Sequence, residues 1–132
     1  MTSLLTPTPE LGFDPATKRF GQLIEGRLVD GATWFAVVDP GSAERIAEAP
    51  AASSEQLDLA VDAARRALPA WSALDVAERG RILHAVADVL AAHHEELAQL
   101  TTLEQGKPIA QARDDVSWSI DFTRYFADYR LE

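Results

Sequence analysis

His93, His94, Glu95 and Glu96 stand in a row and are the side chains here best suited in type to hold a metal ion. A metal site on a helix needs ligands three or four residues apart, where they converge on one face; adjacent residues diverge by about 100°. The run therefore reads as a polar junction between two helices. His84 falls inside a helical run beside its apolar stripe and reads as a partly buried structural histidine. Glu95-Glu96 and Asp114-Asp115 are adjacent carboxylate pairs in the helical region. General acid and base work needs two carboxylates converging on one substrate, so these pairs read as solvated helix surface. Arg65-Arg66 reads as another solvated face, with alkyl stems lying over apolar neighbours. The sequence has no cysteine. That removes thiolate nucleophiles, disulfides and thiolate metal sites. Its seven glycines form neither Gly-x-Gly-x-x-Gly nor Gly-x-x-x-x-Gly-Lys, and its serines never occur as Gly-x-Ser-x-Gly. By residue chemistry alone this is an αβ domain without an active site of its own.

The elements that position these residues follow from periodicity and turn chemistry. Residues 1–19, with Thr6-Pro7-Thr8-Pro9 and Asp14-Pro15, show no period and read as an extended or disordered lead-in. Gln22-Leu23-Ile24 and Arg27-Leu28-Val29 flank Glu25-Gly26, which predicts a β-hairpin. Trp34-Phe35-Ala36-Val37-Val38 is a strand by composition, Asp39-Pro40-Gly41-Ser42 a turn, and Arg45 to Ala49 a further short strand ended by Pro50. The period then becomes helical. Ser53 and Gln56 make a capping box, and Leu57, Val61, Ala64 and Leu68 line one face. Pro69 is expected to end that helix, with Trp71 as a core anchor. Asp75 and Glu78 open a second helix, striped by Leu83, Val86, Ala87 and Leu90. Leu97, Leu100 and Leu103 carry a third stripe to Gly106, the expected left-handed cap. The last helix is expected from Pro108 to about Asp128, with Ile109, Ala112, Val116, Ile120, Thr123 and Phe126 at its spacing.

Composition sets the remaining bounds. One domain with a real core fits within 132 residues, and 47% hydrophobic content is that of a globular chain. The formal net charge of -9 repels nucleic acid and anionic membrane surfaces, so neither is an expected partner. No segment approaches the ~20 apolar residues of a membrane span, and no signal peptide is visible. A cytoplasmic location is expected.

Five blocks, in order, resemble the aldehyde dehydrogenase superfamily. They are Leu23-Ile24-Glu25-Gly26-Arg27-Leu28-Val29-Asp30-Gly31, Phe35-Ala36-Val37-Val38-Asp39-Pro40, the helix from Ala60 to Trp71, Glu78-Arg79 with Ile82-Leu83, and Thr102-Leu103-Glu104-Gln105-Gly106-Lys107-Pro108-Ile109-Ala110-Gln111-Ala112. The last block, with Trp118, Phe122 and Tyr125-Phe126-Ala127, is most similar to the succinate-semialdehyde dehydrogenase branch. Departures fall on local geometry: Asp39 replaces asparagine, Ala43 stands where the turn normally has glycine, and Leu28 and Leu68 replace aromatic residues.

The resemblance implies an α/β parent fold. Residues 20–132 would be the leading part of its cofactor-binding domain, a β-hairpin with short strands and about four amphipathic helices, mostly α, stopping before the Rossmann-like core. It implies a parent that oxidises an aldehyde, succinate semialdehyde among the candidates, with NAD+ or NADP+. There a cysteine thiolate attacks the carbonyl and a glutamate assists hydrolysis of the thioester. Neither group is within this segment, so the chain alone is expected to be inert, with no catalytic or cofactor-binding residue. Relatives that hold a structural monovalent cation imply Val38, through its backbone oxygen, and Glu104 as ligands. The implied partners are the rest of the parent enzyme, its Rossmann-like core and catalytic domain, in a homodimer or homotetramer. The competing expectation is a free-standing helical binding or assembly module without catalysis.

Overall fold

A computed structural model of the chain describes residues 20–129; the expected lead-in over 1–19 lies outside the described residues. The chain begins with a tight hairpin. β1 (Gln22–Ile24) pairs antiparallel with β2 (Arg27–Val29), Leu23 opposite Leu28. Glu25 and Gly26 both have positive φ, 53° and 74°. This is the turn whose twist matches that of antiparallel strands. Glycine enters it freely, whereas Glu25 carries the strain of a left-handed L-residue. Its carboxylate accepts a 2.8 Å hydrogen bond from Arg66, which ties the hairpin tip to the first helix.

A second two-stranded sheet pairs β3 (Thr33–Val38) with β4 (Arg45–Ala51). Here the expectation that Pro50 ends the strand is corrected. β4 runs through Pro50, which lies opposite Trp34, and continues to Ala51. β4 pairs on one side only, and a strand edge tolerates a residue that has no N–H to give.

Four helices follow: α1 (Ser54–Ala73), α2 (Val76–Ala92), α3 (His94–Gln105) and α4 (Ile109–Asp128). The capping box forms as the sequence predicts, with the Ser53 hydroxyl accepting from the Gln56 N–H and the Gln56 side chain accepting from the Ser53 N–H. Gln56 does more than cap. Its amide nitrogen donates to the Asp30 carbonyl and its oxygen accepts from the Ala32 N–H, which fixes the start of α1 on the turn before β3. Asp75 caps α2 by accepting from Glu78 N–H at 2.7 Å.

Pro69 does not end α1, contrary to the sequence expectation; the helix continues to Ala73. Proline removes one donor, and so near the helix end it interrupts little. The Leu74 N–H closes the last turn on the Trp71 carbonyl. Trp71 is no core anchor either, being 39% exposed, and α1 buries no residue among those described.

The core lies among α2, α3 and α4. Ala87, Ala98 and Ala112 are fully buried there, joined by Val116 and Ile120, with Leu90, Leu97 and Ile109 packed at the margin. Side chains this small let helix axes approach closely. Two stripe assignments shift. Val86 is exposed on α2, and on α4 the last buried position is Ala127 while Phe126 is 60% exposed.

Candidate functional site

The expected ligand residues Val38 and Glu104 lie at the ends of β3 and α3; Glu104 walls a groove with Val37, and Val38 is not part of its lining. Between Val37 and Val38 the register slips: Val37 faces Ala47 while Val38 faces Arg45, leaving Ile46 as the extra residue. Such a bulge disrupts the ladder locally and re-aims the backbone beside it. The following turn is organised by Asp39. Its carboxylate accepts from the Gly41 N–H at 2.7 Å and from the Ser42 hydroxyl at 3.1 Å, and its carbonyl accepts from the Ala43 N–H. Ala43 sits at φ 60°, a left-handed position that a glycine would fill without strain.

This turn rests on the α3–α4 junction. Gly106 ends α3 with φ 69°, and a Cβ there would stand 2.8 Å from the Pro40 ring. Glycine is thus required twice, by conformation and by the close approach of Pro40. Lys107 then pairs with Asp115 of α4. Beside the junction is a groove of about 250 Å³ whose walls include Val37, Ala47, Glu48, Leu100 and Glu104. Glu48 is engaged by Arg45 at 2.6 Å, and the exposed Glu104 carboxylate of that wall makes no ion pair or hydrogen bond to described residues.

The histidine run is split among separate partners. His93 Nδ1 meets Glu96 Oε2 at 2.8 Å on its own helix. His94 Nε2 turns to α4, 3.1 Å from the Arg113 carbonyl and 3.0 Å from the Ser117 hydroxyl. A carbonyl oxygen only accepts, so Nε2 must carry the proton. In that tautomer Nε2 has no lone pair to take a proton from Ser117. His84 is half-buried and meets Asp128 at 2.9 Å. Among the described residues no group of three or more His, Cys, Asp or Glu side chains could hold a metal.

The adjacent carboxylates likewise serve structure. Glu95 accepts two hydrogen bonds from the Arg113 guanidinium, at 2.9 and 2.7 Å. This fork, with a further bond from Gln99, lowers the Glu95 pKa from the ordinary 4.5 to about 2, and Glu95 in turn raises that of Arg113. Arg124 bonds Asp88 of α2 at 3.0 Å, so both α4 arginines face other helices.

The outer side of α4 shows a feature that the periodicity did not reveal. Trp118, Phe122, Tyr125 and Phe126, with Tyr129 just past the helix end, are each 47 to 63% exposed. At about 100° per residue they share one sector of the helix, turned away from Ala112, Val116, Ile120 and Ala127. Tyr125 and Phe126 meet edge to face at 5.2 Å between centroids. On α2, Ile82, Val86 and Val89 form a second exposed stripe. No helix among the described residues is long and apolar enough to cross a membrane.

Comparison with known proteins points to one family. The sequence profile of the aldehyde dehydrogenase family matches residues 28–131. A succinate-semialdehyde dehydrogenase [NADP(+)] of Escherichia coli is 38% identical over 108 residues, 80% of this chain and 22% of its own length. A human 2-aminomuconic semialdehyde dehydrogenase is 36% identical over 109 residues, 82% of this chain and 22% of its own. Among solved structures, an NAD-dependent aldehyde dehydrogenase from Sinorhizobium meliloti superposes with a TM-score of 0.80 at 37% identity, over 91% of this chain and 25% of that one. The chain thus spans about a quarter or less of the length of the relatives it matches.

Proposed function

The chain belongs to the aldehyde dehydrogenase family, and we propose that it acts as the leading segment of an NAD(P)+-dependent enzyme that oxidises a semialdehyde to its carboxylate. The observation that carries this reading is the family match itself, which begins at Leu28 in β2 and takes in the second sheet and all four helices. The E. coli relative is named for succinate semialdehyde, which makes that compound the first substrate to try. A terminal-aldehyde substrate carrying a carboxylate is the class.

In this reading the segment contributes positioning, and no catalytic residue. The sequence has no cysteine to attack a carbonyl, and the described residues offer no glycine-rich cradle for a dinucleotide phosphate. NAD(P)+ therefore does not fit these residues, and no step through it is assigned to them. The hairpin, held by Glu25–Arg66, and the β3 turn, held against Gly106, form a stiff support for the helical layer.

The same reading gives Val38 and Glu104 a structural monovalent cation. The bulge beside Val38, the contact between the β3 turn and the α3–α4 junction, and the exposed Glu104 carboxylate support it. One carbonyl and one carboxylate make a partial shell, which water or later polypeptide would complete. The test of the main reading is an assay. Gene product purified from its source is expected to reduce NAD+ or NADP+ with succinate semialdehyde or a related semialdehyde, whereas the pure 132-residue chain is expected to reduce neither. Turnover by the 132-residue chain alone, or none by the native product with any semialdehyde, overturns it.

A further inference from the structure

Asp30 is the only aspartate of the sequence that glycine follows, and the sequence has no asparagine. The pair lies in the connection between β2 and β3, where Asp30 is exposed. Glycine has no side chain to shield its amide nitrogen from the carboxyl carbon of the residue before it, so attack by that nitrogen is easiest in this dipeptide. The fold does not admit a bulkier residue in its place. A Cβ at Gly31 would stand 2.7 Å from the Pro50 Cβ, 2.8 Å from the Thr33 carbonyl oxygen and 2.9 Å from the Ala51 nitrogen. Close packing against β4 therefore builds a reactive pair into the connection.

Gln56 spans that pair. Its Nε2 donates to the Asp30 carbonyl at 2.9 Å, and its Oε1 accepts from the Ala32 N–H at 3.1 Å. The same oxygen accepts from the Ser53 N–H at 3.1 Å, so the start of α1 holds the side chain in place. Attack on the Asp30 carboxyl carbon requires rotation about the Asp30 Cα–C bond. That rotation swings the Asp30 carbonyl off Gln56, and giving up a made hydrogen bond opposes it.

We propose that Asp30–Gly31 is a site of succinimide formation and aspartate isomerisation, with Gln56 as the clamp that sets its rate. The Gly31 nitrogen bonds to the Asp30 Cγ; its proton and the hydroxyl of the neutral carboxyl group leave as water, closing a five-membered imide. Water then opens the ring. Addition at Cγ restores aspartate, whereas addition at the main-chain carbonyl carbon leaves Gly31 linked through Cγ as isoaspartate. One water leaves, one enters, no electron is transferred and the mass is unchanged. Isoaspartate adds a methylene carbon to the main chain, so residues 30 and 32 no longer meet Gln56 at their present spacing. The β2–β3 connection then loosens from the start of α1.

The test incubates the gene product purified from its source, and the same product carrying Gln56→Ala or Gln56→Glu, in heavy-oxygen water near neutral pH. Each succinimide cycle places one heavy oxygen on residue 30. Trypsin, cutting after Arg27 and Arg45, releases both Asp30 and Asp39 in one peptide, and Asp39 is an internal control because Pro40 has no N–H to attack with. Label is expected at Asp30 and not at Asp39, with a same-mass peptide that resists a protease cutting before aspartate. Both variants are expected to label Asp30 at least fivefold faster than wild type, and the synthetic peptide 28–45 faster still. Gln56→Glu keeps the acceptor for Ser53 and Ala32 and removes only the donor to Asp30, so it decides the matter if Gln56→Ala loses helix content. Equal rates in wild type and Gln56→Glu overturn the clamp. No label at Asp30 in any of the three proteins, with the peptide reacting, overturns the site.

Discussion

The two faces of α4 differ in almost every property that governs packing. The inner face is built of alanine, valine and isoleucine, buried to 7% exposure or less, and closed by α2 and α3. The outer face is built of Trp118, Phe122, Tyr125 and Phe126, each 59 to 63% exposed, and at its end Phe126 and Tyr129 wall a cleft with Trp71, Val76 and Leu83. The largest hydrophobic side chains of the helix thus contribute least to the stability of this chain. Small residues fix how closely the three helices approach, while the large ones stay exposed among the described residues. α1 buries no residue among those described: Leu57 and Leu68 are both 60% exposed, and the helix is tied at its start by Gln56 and in its second half by Arg66.

Substitutions can break or sharpen this contrast. The largest effect is expected at Ile120, where truncation to alanine empties a buried position and should cost about 2 to 5 kcal/mol in urea denaturation of the 132-residue chain. Phe122→Ala, two residues away on the other face, should change stability by less than about 0.5 kcal/mol despite removing more carbon. Equal losses at the two positions would show that the outer face is covered in this chain. Next is Ala87→Leu, which forces extra volume between α2 and α4 and should cost about 1 to 3 kcal/mol. Gly106→Ala should cost about 1 to 2 kcal/mol for the left-handed backbone, with more added by the Pro40 contact; no loss would mean the turn and the α3–α4 junction are not coupled. Ser53→Ala should cost about 1 kcal/mol by removing a cap from a helix that has little else to hold it.

The smallest effect is a pH dependence. Glu95 has its pKa lowered to about 2 in the folded chain by the Arg113 fork. Its contribution is therefore complete above the ordinary glutamate value and is lost as pH falls through about 2. Acid titration of stability should show this limb in the wild-type chain, and Glu95→Gln should flatten it. A limb of equal size in that variant would assign it to other carboxylates.

Much of the architecture was legible because local chemistry decides it. Ser53-Gln56, Asp75-Glu78, Glu25-Gly26 and Gly106 each satisfy or bend their own backbone, and each lies where the sequence placed it. What failed depends on context. Pro69 was expected to stop a helix that in fact has one turn left to complete, and Pro50 to stop a strand that has a free edge. Trp71 reads as a core anchor and Phe126 keeps the spacing of the α4 stripe, yet both are exposed, because periodicity reports that a face is apolar without reporting what covers it. The family blocks were legible for a similar reason, being turns and junctions such as Asp39-Pro40 and Gly106-Lys107-Pro108 whose geometry restricts residue type. The ion pairs Glu95–Arg113, Asp88–Arg124 and Lys107–Asp115 join residues on different helices or across a junction, and their partners are set by how α2, α3 and α4 cross.

The most direct test of the whole account is the intact mass of the gene product purified from its source. The matched segment is 22 to 25% of its relatives, so the account predicts a polypeptide about four times the 14.4 kDa of these 132 residues. A mass of 14.4 kDa in an active aldehyde dehydrogenase would contradict it, because catalysis would then have to arise from a chain with no cysteine.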